Sequence, residues 1–302
     1  MLPHQLDAAR AALRGPARGL ALAAMCATGC SAVAAPPADH RCLPADNFLC
    51  GRPRNLAHRG GANLRPENTL GAFSNAVEIG ADVLELDVRS TADGVVVVLH
   101  DSTVDRTTDG VGQVSRLTAA AIAQLDAGHR FTRDGGATFP ERGLGIRVPT
   151  LAQVLGGFPA ARFSIEVKDH TGTVGPVLAL VSSLGLTDRV EIASFADDIL
   201  AEVRATAPDV LTTMSLAEMV ELANLTDADE PTYVLPAPIV QAPVDQLTPA
   251  ILARAQRLQL VVQVWTVDDE ATMADLLARG VDGIITNDPV RLRAVIGALG
   301  GP

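Results

Sequence analysis

Residues 55–80 read NLAHRGGANLRPENTLGAFSNAVEIG, and this stretch contains the unit from which the fold is predicted. The segment NLAH at 55–58 has the apolar character of a short buried strand, and a Gly-containing loop follows it. The segment TLGAFSNAVEIG at 69–80 then has the spacing of an amphipathic helix that ends at a glycine. The stretch therefore predicts one strand followed by one helix.

The same pattern recurs along the chain. Further strands are predicted at 82–88, 162–167, 189–194, 210–215, 232–241, 260–265 and 283–286, with amphipathic segments between them. Eight such units in about 250 residues favour an α/β fold of the TIM barrel type, a (β/α)8 barrel over residues 55–302. A doubly wound open sheet is the alternative, because a hydrophobic pattern does not show whether a sheet closes.

One further strand, VVVVLH at 95–100, follows the second predicted strand without room for a helix. Asp93-Gly94 is a two-residue hairpin signal, and a turn at these residues would place Asp87 opposite His100. The stretch 101–149 then contains one clear helical segment, LTAAAIAQLDAG. We interpret it as a small cap inserted into the barrel, with a mere surface elaboration as the alternative.

The composition is that of a globular protein, with 48% apolar and 20% charged residues in a chain of 302. The formal net charge is -11, which argues against nucleic acid or an anionic membrane as the main partner. Any anionic ligand must therefore be bound by local cations. Nothing in the sequence implies a protein partner.

The first 35 residues have the order of a secretory signal: Arg10, Arg14 and Arg18, then an Ala-rich apolar run, then small residues. This order predicts export, to the periplasm or the medium, over a retained anchor helix. The stretch ATGC at 27–30 also resembles a bacterial lipoprotein cleavage box, in which a lipidated Cys30 would attach the protein to a membrane. It lacks the leucine that usually stands three residues before the cysteine.

All four cysteines fall within the first 50 residues, two in the leader and two in the linker at 36–54. In an oxidising compartment Cys42 and Cys50 are expected to form a disulfide that ties down this linker. Two unpaired surface thiols are the alternative.

Polar side chains gather at the predicted C-terminal ends of the strands, where a barrel has its mouth. By the period of two along a strand, Glu85 shares a face with Asp87, and Glu166 shares a face with Lys168. An otherwise apolar strand does not bury two carboxylates on one face unless their charge is compensated. Three converging carboxylates with no cysteine nearby therefore predict a hard divalent cation, Mg²⁺ or Ca²⁺.

Single members of this group also have structural explanations. Glu166 paired with Lys168 would be satisfied without a metal. Asn68 or Thr69 in the PENT motif would cap the helix that follows, and the alternative for this motif is contact with the substrate or a hydrogen bond to the metal site. His58 and His100 differ from the other histidines because each ends a buried-looking strand beside a charged neighbour. Independent structural reasons for every member would have to coincide, so the group as a whole favours a functional site.

Motifs in a fixed order from about Leu56 to Pro289 resemble the glycerophosphodiester phosphodiesterase family. They are HRGG, PENT, LELDV, DG with VVVVLHD, RTTDG, PTL, IEVK, VWTV and GVDGIITNDP. The resemblance implies a barrel, a divalent cation (Ca²⁺ or Mg²⁺), and hydrolysis of glycerophosphodiesters to sn-glycerol 3-phosphate and an alcohol. It also implies metal binding by Glu85, Asp87 and Glu166, acid-base catalysis by His58 and His100, and phosphate contact by Arg59 and Lys168.

The expected chemistry agrees with these roles. A guanidinium can bind two phosphate oxygens at once, and two histidines that titrate near neutrality can share the proton transfers. The resemblance further favours substrate contact over core packing for Trp265, with Phe195 and Glu67 as weaker candidates for the pocket. The Pro-rich stretch PTYVLPAPIVQAP departs from the family because it lacks a histidine that is often seen there.

Two other functions stay open at this point. A similar enzyme acting on lysophospholipids would need an apolar groove beside the mouth. A non-catalytic surface binding lipoprotein would have no reason to keep His58, His100, Glu85, Asp87 and Glu166 together.

Overall fold

The computed structural model describes Phe48, residues 54–170 and residues 172–300. The predicted leader, Cys30 and the predicted pair of Cys42 with Cys50 lie outside the described residues. Within the described ranges, no helix has both the length and the apolar character needed to cross a membrane.

The described residues form a barrel of parallel strands with one additional antiparallel strand. The strands are β1 Arg54–Ala57, β2 Val83–Ser90, β3 Val96–Val98, β4 Phe163–Val167, β5 Val190–Ala193, β6 Leu211–Thr212, β7 Ile239–Pro243, β8 Val261–Trp265 and β9 Gly283–Thr286. Their order is β6-β5-β4-β2-β1-β9-β8-β7, and β3 pairs with β2 outside this path. A parallel bridge between Thr213 and Ile239 joins the two ends of the order. The TIM barrel is therefore confirmed, and the open sheet is excluded.

Helices alternate with the parallel strands. They are α1 Leu70–Ile79, α2 Ala119–Ile122, α3 Leu151–Gly157, α4 Val174–Ser183, α5 Asp197–Thr206, α6 Leu216–Asn224, α7 Pro249–Arg257, α8 Glu270–Ala278 and α9 Pro289–Ala298. Several begin at a side chain that accepts a hydrogen bond from a backbone N–H of the first turn, as Thr69, Ser215 and Asp269 do. These caps satisfy donors that have no partner within the helix.

The two faces of each strand have different environments, as the period of two requires. Outward residues such as Leu84 and Leu86 pack against Phe73 of α1 in a large apolar cluster. Inward residues at the N-terminal end of the barrel, such as Val83 and Val261, form a smaller cluster with Phe48. The inward polar residues that follow along the strands therefore point towards the mouth.

The strand predicted at 232–241 begins later than expected. A 3-10 helix covers Glu230–Thr232, and β7 starts only at Ile239. Pro236 and Pro238 supply no backbone N–H for a sheet, which explains the late start.

The predicted register of the β2–β3 hairpin is wrong by one residue. Val88 lies opposite Val98, so the register places Asp87 opposite Leu99 rather than His100. The loop has three residues, 92–94, because Gly94 adopts a left-handed conformation with φ of 76°. The Thr91 hydroxyl stabilises this loop by accepting a hydrogen bond from the Val95 N–H at 3.0 Å.

The insertion at 101–149, named the cap from here on, has a small apolar core of its own. Val104, Val114, Ile122 and Val148 pack together and against Leu99. Its helical part is shorter than predicted, since α2 covers only Ala119–Ile122. A shared core distinguishes the cap from a surface elaboration, which confirms the predicted insertion after the His100 strand.

Candidate active site

The turn that follows β1 places two side chains at the mouth of the barrel. His58–Gly60 forms a 3-10 turn in which Arg59 has a φ of 53°. This left-handed conformation is uncommon for a residue with a side chain, and such residues cluster at functional sites. It lets the Arg59 N–H donate to Glu85 Oε2 at 2.7 Å. Gly60 is required by packing, since a Cβ there would lie 2.8 Å from the Ala72 Cβ.

Three carboxylates converge beside this turn. Asp87 of β2 lies directly opposite Glu166 of β4, and Glu85 lies two residues earlier on the same face of β2. One carboxylate oxygen from each residue lies within 4.8 Å of the others. Glu85 and Asp87 are buried, whereas Glu166 is partly open to solvent. The two shared faces that the sequence predicts thus bring all three predicted ligands together.

Two cations balance part of this negative charge. Lys168 Nζ lies 3.0 Å from Asp87 Oδ1 and 2.6 Å from Glu166 Oε1. Arg59 Nε lies 3.2 Å from Asp87 Oδ2. Burial alone would raise the pKa of Asp87, but Lys168 and Arg59 outweigh it and hold that pKa well below its usual range. Asp87 therefore stays ionised.

Glu85 has a different environment. Its contacts include the Arg59 N–H and, at 4.0 Å, the Nε2 of His58. Burial, together with the neighbouring charge of Asp87, raises the pKa of Glu85 well above its usual value. Among the described residues, the buried Asp87 Oδ1 has the ammonium group of Lys168 beside it, at 3.0 Å, and keeps room for a further partner. An all-oxygen group with unused lone pairs and an excess of negative charge fits a hard cation.

The His58 ring is held by an amide. Its Nδ1 lies 2.6 Å from Asn287 Oδ1, and Asn287 Nδ2 in turn donates to Asp268 Oδ2 at 2.8 Å. Because a carboxylate can only accept from the amide NH₂, the amide oxygen must face His58 and accept from Nδ1–H. Burial, and then the charge of Arg59, lowers the pKa of His58 to about 4. The ring is therefore neutral at pH 7, with an available lone pair on Nε2.

The His100 ring is held by a carboxylate instead. Its Nδ1 lies 2.6 Å from Asp101 Oδ1. Arg106 of the cap binds the other oxygen of Asp101 at 2.6 Å and donates twice to Glu67 at 2.7 Å. The hydrogen bond from His100, together with Arg106, holds the pKa of Asp101 well below its usual range. Since an ionised carboxylate can only accept, the Nδ1–H of His100 donates to Asp101.

The residues of the PENT motif divide between the two roles considered for them. Thr69 caps α1 by accepting from the Ala72 N–H at 3.2 Å. Asn68 instead donates to Asp87 Oδ2 at 2.9 Å, and Glu67 accepts from Arg59 at 2.9 Å. The motif therefore both starts a helix and contacts the site.

The three candidate pocket residues lie in two places. Phe195 and Trp265 meet edge to face with ring centroids 5.7 Å apart, and the Trp265 Nε1–H donates to the Gln241 carbonyl at 3.0 Å. Phe195 and Glu166 line one small cavity. Glu67 lines other cavities, on the cap side of the mouth. The aromatic pair and Glu67 thus flank the carboxylate group from different sides.

Sequence reasoning missed several residues that hold the site in place. They are Arg106, Asp268 and Asn287, each of which bonds a predicted site residue or the partner of one. Arg106 and Asn287 had a signal, because they lie in the motifs RTTDG and GVDGIITNDP, and Asn287 directly follows the last strand. Asp268 had no such signal, since its partner Asn287 lies 19 positions away along the chain.

Comparison with known proteins identifies relatives of this chain. The model of the glycerophosphoryl diester phosphodiesterase family matches residues 58–291. The glycerophosphodiester phosphodiesterase of Caldanaerobacter subterraneus subsp. tengcongensis is 35% identical over 249 residues, which cover 78% of this chain and 95% of that protein. The Bacillus subtilis glycerophosphodiester phosphodiesterase is 34% identical over 252 residues, which cover 78% of this chain and 83% of that protein.

A solved structure is also similar. The crystal structure of a glycerophosphodiester phosphodiesterase from Agrobacterium tumefaciens superposes with a TM-score of 0.67 at 31% identity. The match covers 82% of this chain and 100% of that one. Fold and sequence thus agree on the same family.

Proposed function

The chain belongs to the glycerophosphoryl diester phosphodiesterase family, and from this premise we propose that it hydrolyses glycerophosphodiesters to sn-glycerol 3-phosphate and an alcohol with the help of a divalent cation. The observation that carries the proposal is the meeting of three carboxylates, two cations and two differently held histidines at one barrel mouth. Reaction at this mouth is typical of TIM barrel enzymes.

The phosphodiester anion binds next to Arg59. Its buried Nε makes no hydrogen bond within the described part of the chain, although Asp87 lies 3.2 Å away. A planar guanidinium suits the oxygens of a phosphate, and the charge that develops on them in the transition state strengthens the contact. Lys168 adds a second positive charge on the opposite side of Asp87.

The carboxylates of Glu85, Asp87 and Glu166 would hold the cation, and both Ca²⁺ and Mg²⁺ accept such oxygen donors. When bound, a divalent cation supplies a Lewis acid that offsets the charge of the phosphate oxygens. The raised pKa of Glu85 supports this assignment, because burial beside Asp87 disfavours its ionised form unless a further cation is near.

The different partners of the two histidines divide the proton transfers between them. His58 is the base: Asn287 fixes its proton on Nδ1, and Nε2 accepts the proton of the attacking hydroxyl, from water or from the glycerol of the substrate. His100 is the acid: Asp101 accepts from its Nδ1–H and orients the ring, and the ring donates a proton to the leaving alkoxide. One proton is taken and one is given, so the net charge of the site is unchanged, and proton exchange with solvent returns both rings to their starting states.

Phosphodiesterase assays of the purified protein test this proposal. We expect release of glycerol 3-phosphate from glycerophosphoglycerol with Ca²⁺ or Mg²⁺, and loss of release in EDTA. His58→Ala and His100→Ala should each lower kcat by about 10²- to 10⁴-fold, the range typical of general acid-base catalysis.

A matched control separates the site from the rest of the surface. His170 is exposed and bonds Asp198 at 2.9 Å, so His170→Ala should leave turnover within about twofold, as for other surface changes. Full turnover in EDTA would contradict the proposed dependence on a divalent cation. Cleavage of lysophospholipids without cleavage of any glycerophosphodiester would contradict the substrate class.

A further inference from the structure

A cavity of about 150 Å³ lies between the cap and the loop that follows β1. Glu67 and Pro66 line it from the loop, while Arg106, Arg130 and Phe131 line it from the cap. Since a water molecule occupies about 30 Å³ of liquid, this cavity has room for a small polar group. Further contacts fasten its walls together, such as the ion pair of Arg65 with Glu141 at 2.9 Å.

The cavity adjoins the acid of the proposed reaction. Glu67, Thr107 and Ala127 line both this cavity and a smaller one whose wall includes His100. A leaving alcohol that receives a proton from His100 would therefore extend into the space under the cap. The aromatic pair of Phe195 and Trp265 lies beside Glu166 instead, where it can contact the part of the substrate that stays on the phosphate.

The charge of the cavity is positive. Its acidic wall residue, Glu67, already accepts from Arg59 at 2.9 Å and from two nitrogens of Arg106 at 2.7 Å each. Arg130 adds a further cation to the lining. A carboxylate that is neutralised twice offers little attraction to an ammonium ion, whereas guanidinium groups donate hydrogen bonds to hydroxyl oxygens.

The aromatic wall of the cavity is also occupied by a cation. The guanidinium carbon of Arg133 lies 5.7 Å from the ring centroid of Phe131. Quaternary ammonium groups are usually recognised by the faces of aromatic rings. Here Arg133 holds that position on Phe131, which adds repulsion against a second cation.

We propose that the cavity under the cap binds the leaving alcohol and selects hydroxyl-rich alcohols, such as glycerol or inositol, over ammonium-bearing ones such as choline or ethanolamine. This inference rests on the proposed function and names the substrate class of the same site. Polyol hydroxyls accept hydrogen bonds from Arg130, while an ammonium group meets the positive charge of this guanidinium, since the carboxylate of Glu67 is already paired with Arg106 and Arg59.

Kinetics on four substrates test the inference: the glycerophosphodiesters of glycerol, inositol, choline and ethanolamine. We expect kcat/KM for the two polyol diesters to exceed that for the two ammonium diesters by about tenfold, as the charge of Arg130 at this range would give. Arg130→Glu should reduce this preference by about three- to tenfold, chiefly by raising kcat/KM for choline and ethanolamine. Arg130→Lys should preserve the preference.

A second charge reversal serves as the control. Arg116 lies on the cap and is exposed, and it is not among the residues that line the cavity. Arg116→Glu makes the same change in net charge and should leave the preference unaltered. Equal rates on all four substrates, a preference for choline, or no response to Arg130→Glu would overturn the inference alone. Failure to cleave any of the four would overturn the proposed function together with it.

Discussion

At the scale of single residues, the two histidines are distinguished by what holds their Nδ1 atoms. Asn287 offers His58 a neutral oxygen, and Asp101 offers His100 a charged one, both at 2.6 Å. A charged acceptor stabilises the imidazolium and a neutral one does so far less. In the proposed mechanism, the residue beside each ring therefore distinguishes the histidine that accepts a proton from the one that donates it.

Asn287→Ala tests whether the acceptor at Nδ1 positions His58 for catalysis. Removal of the amide oxygen frees the ring to rotate and to place its proton on Nε2, so we expect kcat to fall by about 10- to 100-fold, with KM changing little. Asn224→Ala is the matched control, because Asn224 is exposed and its side chain donates to a carbonyl of its own helix, that of Val220. Unchanged kcat in Asn287→Ala, or a loss explained fully by a lower unfolding temperature, would contradict the positioning role.

At the scale of elements, the β2–β3 hairpin carries His100 to the mouth. The three-residue loop at 92–94 fixes the register, and Gly94 supplies the left-handed residue that closes it. Asp93 Oδ1 adds a hydrogen bond from the Ala119 N–H at 2.9 Å, which ties the loop to α2 of the cap. The hairpin and the cap therefore support the same histidine.

Gly94→Ala should destabilise the protein. The left-handed φ disfavours any side chain, so we expect a loss of about 1 kcal/mol in the free energy of unfolding measured with urea. A Cβ at this position meets no atom within 4 Å, so the conformational cost is the whole effect.

Gly156→Ala is the control, and we expect it to have the opposite effect on stability. Gly156 is exposed in α3, and its Cβ would likewise meet nothing within 4 Å. Alanine favours a helix over glycine by up to about 1 kcal/mol, so this variant should be neutral or stabilised. Equal stability of the two variants would show that the conformation of Gly94 does not matter.

At the scale of the whole molecule, the barrel interior contains a buried polar layer beneath the mouth. Glu191 of β5 accepts from Gln263 Nε2 at 3.0 Å and from Gln241 Nε2 at 3.1 Å. Gln241 also donates to the Ser164 hydroxyl at 3.0 Å. Residues of β4, β5, β7 and β8 therefore meet at the barrel centre, which requires a closed sheet.

This layer makes the stability of the protein depend on pH. Burial raises the pKa of Glu191 to about 7, from 4.5 in the unfolded chain. Between these values the folded protein holds a proton that the unfolded chain has lost. The stabilisation is thus complete below the unfolded pKa and is lost as pH rises through the folded pKa.

Glu191→Gln should remove this dependence. Between pH 5.5 and pH 8, titration of Glu191 should lower the free energy of unfolding of the native protein by about 2 kcal/mol. Urea unfolding of the variant should show a decrease that is smaller by this amount. Repacking around the new amide would change the stability equally at both pH values, so the difference between the two values reports the titration of Glu191. Glu202→Gln, an exposed change on α5, should keep the native pH response. The same response in Glu191→Gln would contradict the assignment.

The sequence by itself determined the alternation of strands and helices, the insertion after the His100 strand, and the positions of the carboxylates, cations and histidines at strand ends. These features are local, because a strand repeats every two residues and its last polar residues reach the same mouth in any barrel. The same periodicity placed Glu85, Asp87 and Glu166 on faces that meet.

Only the tertiary structure decided the closure of the sheet, the hairpin register and the partners of the candidate catalytic side chains. His58 and Asn287 are 229 positions apart, and the bridge of Thr213 with Ile239 joins strands separated by a helix and an irregular segment. A local pattern records which residues face inward, but a contact between distant residues depends on the geometry of the whole chain. The predicted register of the hairpin was wrong for a related reason, since the loop length was set by one backbone angle at Gly94.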